Sequence, residues 1–128
     1  MTETYIPKTL EEAHQFLDLF LQDKEQFKNF QEEDVLSVSH MGLGRWIRNR
    51  WYLWWSEELY ERAKKSTPDY PSTKPELVKY FNNLGIEHGD DMSGIIIISF
   101  YKKINNQVYD LDSDVTKIKE FYLNQDNQ

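Results

Sequence analysis

The chain contains no cysteine, and that absence removes several kinds of protein at once. A disulfide scaffold, a cysteine nucleophile and a thiolate metal site are all excluded. Histidine is scarce: the three residues, His14, His40 and His88, are scattered and form no H-E-x-x-H metal motif. Glycine and proline number only 5 and 4, too few for a low-complexity chain. The longest apolar run, Ile95 to Ile98, is far short of the ~20 residues that span a bilayer. The amino terminus lacks the basic and apolar regions of a secretory signal. A cytoplasmic location without membrane association is therefore expected. No nucleophile elbow and no phosphate-loop spacing occurs, so neither enzymatic activity nor a metal or cofactor is expected.

What is present points to one packed domain. Hydrophobic residues make up 39% of the chain and aromatic residues 15%, more than a disordered segment carries. The length, 128 residues, fits a single domain over 1–128, with frayed ends expected at 1–6 and 124–128. Net charge is −7, from 15 basic and 22 acidic side chains, and it is unevenly spread. Residues 1–40 carry −6, 66–106 carry −1 and 107–128 carry −3, whereas 41–65 carry +3. An acidic chain repels phosphates and anionic lipid, so no specific nucleic acid is expected. A basic protein is the partner that such a charge steers toward itself. The basic island has two readings: it attracts the chain's own acidic segments, or it forms an aromatic and basic recognition surface.

Helix signals recur along the chain. Thr9-Leu10-Glu11-Glu12 has the form of a capping box and predicts a helix over 10–22. Leu10, Ala13, His14, Leu17, Phe20 and Leu21 share its apolar face, with Phe16 beside them. Asp23 suits the start of a short helix holding Phe27 and Phe30, and the acidic stretch 31–34 suits a third, with Val35, Leu36 and Val38 inward. Ser56 starts a helix over 57–65. A second box, Thr73 to Glu76 with Pro75 in the first turn, precedes Leu77, Tyr80, Phe81 and Leu84, and Gly85 is the stop. A last helix over 114–123 shows Val115, Ile118, Phe121 and Tyr122 on one face. Residues 93–101 are ambiguous. Four β-branched residues favour a strand, but Asp90 and Asp91 suit a helix start and Lys102 and Lys103 a helix end. A central buried helix is preferred, which predicts an all-α bundle of about six or seven helices. The alternative is α+β with a small sheet including residues 95–101.

The densest segment runs from His40 to Trp55. Taken as a helix from Leu43, it groups Leu43, Ile47 and Trp54, flanks them with Trp46, Trp51 and Leu53, and puts Arg50 inside the apolar arc. Arg48, Asn49, Tyr52 and Trp55 face elsewhere. An arginine in such an arc must reach water or a carboxylate. Trp46, Trp51, Trp54 and Trp55 are thus expected as an aromatic cluster. Gly42-Leu43-Gly44 precedes this helix, where an anion could sit with Arg45 and Arg48 near; close backbone approach is the plainer use of the glycines. His88-Gly89-Asp90-Asp91 sets an imidazole near two carboxylates, for which capping and salt bridging is the plainer reading than metal or acid–base chemistry. The expected polar cluster comprises His40, Arg48, Asn49, Arg50, His88, Asp90 and Asp91. Within it Arg48 or Arg50 is expected to meet Asp90 or Asp91 in a bidentate pair.

Three blocks resemble, in the same order, those of a bacterial domain family of unknown function. They are Ile6-Pro7-Lys8-Thr9-Leu10-Glu11-Glu12-Ala13, Gly42-Leu43-Gly44-Arg45-Trp46-Ile47-Arg48-Asn49, and His88-Gly89-Asp90-Asp91-Met92-Ser93-Gly94-Ile95-Ile96. The resemblance covers roughly residues 6–104 and implies a mostly helical bacterial domain, with no reaction attached. The family pattern has proline where Gly89 stands, which is expected to loosen the loop. It has a non-basic residue where Arg45 stands, so no role carries over there. Function has three readings. The first is a small acidic protein-binding or regulatory module of the immunity or inhibitor kind. The second is a small-ligand or anion-binding domain centred on Gly42–Asn49 and Asp90–Asp91, and the third an enzyme acting through His88 and the carboxylates.

Overall fold

A computed structural model describes residues 5–126, whose regular elements are helices throughout, seven in number. Polar caps set where several begin. Thr9 Oγ1 accepts the Glu12 backbone N–H at 3.0 Å and opens α1 (Leu10–Phe20). Glu12 reaches back to the Lys8 N–H, so the reciprocal half of the box falls one residue outside it. α2 (Lys24–Lys28) is little more than one turn and buries Phe27. A 3-10 turn, Glu32–Asp34, leads into α3, a continuous helix of three stretches: α-helical Val35–Ser39, π-helical His40–Gly44 and α-helical Arg45–Arg50. Ser56 caps α4 (Glu57–Ala63) by accepting the Leu59 N–H. α5 (Glu76–Asn83) starts at Pro75 and not at Thr73. Proline disfavours helical geometry at the residue before it, which keeps Lys74 outside and leaves Thr73 out of register as a cap. α6 (Gly89–Ile104) follows, then α7 (Leu111–Asp126), where the Asp110 carboxylate accepts the Ser113 N–H. α7 is longer than the predicted 114–123. Of the expected frayed ends, residues 124–126 continue α7, while 1–4 and 127–128 lie outside the described residues.

Three helices end in the same way. Two residues beyond α3, α5 and α6 the backbone turns left-handed, at Tyr52 (φ 53°), Gly85 (φ 90°) and Asn106 (φ 58°). The next amide then bonds back across the helix end: Leu53 to the Arg48 carbonyl, Ile86 to Phe81, and Gln107 to Lys102, at 3.1, 2.9 and 2.8 Å. Gly85 is the stop that the sequence marks. Tyr52 is not marked, because a tyrosine there carries a backbone cost on the order of 1–3 kcal/mol. Its ring packs edge-on against Tyr70, with centroids 4.9 Å apart. This turn ends α3 at Arg50 and breaks the helical phase assumed through Trp55. Trp51 and Leu53 are buried beyond it, while Arg50, ahead of the turn, is exposed because the π-helical stretch His40–Gly44 already departs from the 100° spacing that put it inside an apolar arc.

α6 forms the centre of the core. Met92, Ile95, Ile96, Ile97 and Phe100 are buried on it, and it packs against α1, α2, α3 and α7. Each β-branched residue weakens a helix by about 0.4 kcal/mol relative to alanine, whereas burying an isoleucine contributes about 1.5–3 kcal/mol. Burial decides, and the alternative sheet over 95–101 does not form. Asp90 and Asp91 at the start and Lys102 and Lys103 at the end complement the helix dipole. Periodicity and structure part at the surface. Val35 is buried, but Leu36 and Val38 face outward, and Phe20 and Phe121 are exposed although their spacing directs them inward.

Candidate functional site

Arg48 is the only buried charged side chain among the described residues, 9% exposed. All three of its guanidinium nitrogens are engaged. Nε faces Asp90 Oδ1 at 3.3 Å, Nη1 donates to Ser93 Oγ at 3.1 Å, and Nη2 donates to the His40 carbonyl at 3.0 Å. The Ser93 hydroxyl donates in turn to the Asp90 carbonyl at 3.0 Å. The Arg48–Asp90 contact expected from the sequence is in place, but it is single-point rather than bidentate. Ser93 and the His40 carbonyl, on the wide turn of α3, take the other two nitrogens. Gly44 makes the room: a Cβ there would lie 2.9 Å from Arg48 Nη1 and 3.2 Å from the Ser39 carbonyl oxygen. Gly42 and Gly44 lie within α3, not ahead of a helix, so they offer no open helix start for an anion.

Asp91 turns the other way and accepts the Tyr122 hydroxyl at 2.7 Å. That hydrogen bond, with burial and the carboxylate charge, pushes the Tyr122 phenol up to about 12. His88 stacks on Tyr122 at 4.8 Å and meets Trp54 edge-on at 6.1 Å. Trp54 covers Gly89, where a Cβ would approach the indole to 2.8 Å. Gly89 therefore does not loosen a loop; it opens α6 and seats a tryptophan. The start of α6 fastens α3 through Asp90 and α7 through Asp91. Three of the expected cluster residues stay outside this junction. His40 contributes its carbonyl alone, and the side chains of His40, Asn49 and Arg50 are exposed. Nor do the tryptophans form one cluster. Trp51 is buried against Phe16 and Trp46, Trp54 sits on Gly89, and Trp55 donates to the Pro71 carbonyl at 2.8 Å.

A second polar pair was not legible in the sequence. His14 Nε2 lies 2.7 Å from Ser99 Oγ, across the contact between α1 and α6. Burial, with Lys103 nearby, lowers the imidazole to about 4. The Ser99 hydroxyl also lies 2.6 Å from the Ile95 carbonyl and donates to it, so His14 is the donor to Ser99. A buried hydroxyl held by its own helix is a poor nucleophile, and the pair closes a packing contact. No group of three or more His, Asp and Glu side chains is placed to hold a metal ion among the described residues.

The accessible features lie on α3. An open groove of about 670 Å³ runs between α3 and the pair α1 and α2, with Phe16, Leu17, Phe27 and Leu43 in its lining. Phe20, Val38 and Trp46 stand at its edge, 63%, 55% and 42% exposed. Past Trp46 and Gly42, which line both, a second cleft of about 530 Å³ is bordered by Arg45, Asn49, Arg50 and Tyr52. Within the basic island Arg48 pairs with Asp90, while Arg62 and Lys64 pair with Glu58 and Glu61. Arg45 and Arg50 make no ion pair among the described residues.

The molecule is thus a small all-helical domain with an apolar groove and a basic shelf that meet at one tryptophan. It belongs to the family described as Domain of unknown function (DUF6794), whose model matches residues 6–73 and 70–104. No curated protein and no solved structure matches the chain. Among the described residues no helix is long and apolar enough to cross a membrane.

Proposed function

We propose that the chain is a small acidic protein-binding or regulatory module, of the immunity or inhibitor kind, and not an enzyme. It receives apolar side chains of a basic protein in the groove between α1, α2 and α3. The groove carries this reading: Phe20, Val38 and Trp46 remain exposed around one concave apolar surface, and such surfaces mark partner sites. Most of its lining, from Phe16 to Ser39, comes from the segment over which net charge is −6, which supports a basic partner by electrostatic steering. The binding rather than catalytic role is supported by the full engagement of Arg48 and of the Ser99 hydroxyl. A bacterial origin and a cytoplasmic setting belong to the same proposal and rest on the resemblance and on the cysteine-free composition.

The test is photo-crosslinking in extracts of the source cell. A photoreactive residue at Phe20 should capture one protein, which the same residue at the exposed Val108, outside the groove, does not. Adding Trp46→Glu should abolish the adduct while circular dichroism stays unchanged. Equal labelling from both positions, or none from Phe20, would overturn the proposal.

A further inference from the structure

The groove does not end at Trp46. Its outer side continues into a cleft bordered by two arginines, an asparagine, a tyrosine and the same indole, with no carboxylate in the lining. Two exposed guanidinium groups share this lining, and neither makes an ion pair among the described residues. Both belong to the Arg45–Arg50 stretch of α3 and flank Asn49, whose amide adds a hydrogen-bond donor. Across the groove the charge reverses: the charged residue in its lining is Asp23, which makes no ion pair among the described residues.

We infer that Arg45 and Arg50 read a carboxylate carried by the segment that fills the groove, and so fix its direction. The inference rests on the groove reading above. The segment lies across Trp46 with its apolar side chains against Phe16, Phe20 and Val38. An aspartate, glutamate or chain-terminal carboxylate sits between the two guanidinium groups, and lysine or arginine faces Asp23. Guanidinium suits this task because its planar fork matches a carboxylate, and the neighbouring ring lowers local hydration. The partner class is therefore narrower than a basic protein. It presents an amphipathic segment with apolar anchors, a basic end and an acidic end.

Labelled helical peptides with one shared leucine face provide the test, read by fluorescence anisotropy. One carries glutamates at one end and lysines at the other, and a second carries lysine at both ends. The first should bind at least tenfold more tightly. Arg45→Gln with Arg50→Gln should erase that difference by weakening the first peptide, and should not weaken the all-lysine peptide. Both side chains are exposed, so the fold should survive, as circular dichroism will check. Phe20→Glu should weaken both peptides. Equal binding of the two peptides to the unaltered protein, with the Phe20→Glu effect retained, overturns the carboxylate inference alone. Binding indifferent to Phe20→Glu, or no binding of either peptide, overturns the groove reading as well. A dimer by sedimentation that Phe20→Glu dissolves would make a second copy the occupant and overturn both. Single-stranded RNA bound through Arg45 and Arg50 in 0.2 M salt would make the shelf a phosphate site and overturn the inference.

Discussion

Arg48 and Asp90 form one ion pair but stand in different solvents, and this makes their removal unequal. The arginine side chain is 9% exposed and the aspartate 57%. Asp90→Asn leaves the guanidinium its bonds to Ser93 and the His40 carbonyl, so the expected loss is about 1 kcal/mol. Arg48→Ala empties the junction and strands the His40 carbonyl and Ser93, for an expected loss of about 3 kcal/mol. Urea denaturation of both single variants and the double variant will measure the difference. His14 gives a pH dependence of definite sign. Its folded value of about 4 lies below the ordinary 6.5, so below pH 6.5 the unfolded chain binds a proton that the folded one refuses. Its contribution is complete above pH 6.5, falls as pH drops, and is exhausted near pH 4. The imidazole is partly exposed, so about 1–2 kcal/mol is expected after allowance for solvent screening. His14→Gln should flatten the midpoint-against-pH curve between those values, while carboxylate protonation still unfolds the chain at lower pH.

The glycines of α3 give a prediction about an element. At Gly42 a Cβ would meet nothing within 4 Å, so Gly42→Ala should be neutral or stabilise by up to about 1 kcal/mol. At Gly44 the same atom would press on the guanidinium and on a backbone carbonyl, and Gly44→Ala should destabilise by about 1–3 kcal/mol. Thermal melts of the pair will show opposite signs. The elements also show what the sequence can and cannot display. Caps at Thr9 and Ser56 and the stop at Gly85 are local chemistry and were legible. So was α6, whose flanking charges outweigh its β-branched run. The all-α fold follows from these. Arg48 with Asp90 was legible only through the family resemblance, since helical phase pointed to Arg50 as the buried cation. The split of Asp90 and Asp91 between α3 and α7 was not, because Tyr122 is far away in sequence. The left-handed turn at Tyr52 was not either, since nothing marks a tyrosine for that geometry, and with it went the phase of Trp54; the π-helical stretch His40–Gly44, equally unmarked, shifted Arg50. The exposure of Phe20 and Val38 was hidden for a different reason. Periodicity identifies an apolar face but not whether the chain itself supplies enough cover for it.

Across the whole molecule, charge and shape are arranged as opposites. The groove is lined mostly by the acidic first 40 residues, with Asp23 as the charged group in its lining, and the two guanidinium groups without an ion pair among the described residues border the cleft beside it. The net field of −7 should prevent tight binding of nucleic acid despite that shelf. A 20-nucleotide polyuridine should show no anisotropy change at micromolar protein in 0.15 M salt; saturable binding there would show the shelf to be stronger than the field. The wide turn of α3 has a further consequence, for changes of length. Successive residues of a helix are set about 100° apart, so losing one residue between His40 and Gly44 would swing everything after it by roughly that angle relative to Val35–Ser39. Arg48 would leave the His40 carbonyl, and Trp46 would leave the groove, in a single event. Deletion of Met41, whose side chain is exposed, should therefore unfold the domain or collapse its melting cooperativity, although Met41→Ala should do neither. Shortening the irregular stretch around Ser72 should be tolerated far better. Descent within the family would then conserve the spacing from Ser39 to Arg48 more strictly than the residues that fill it.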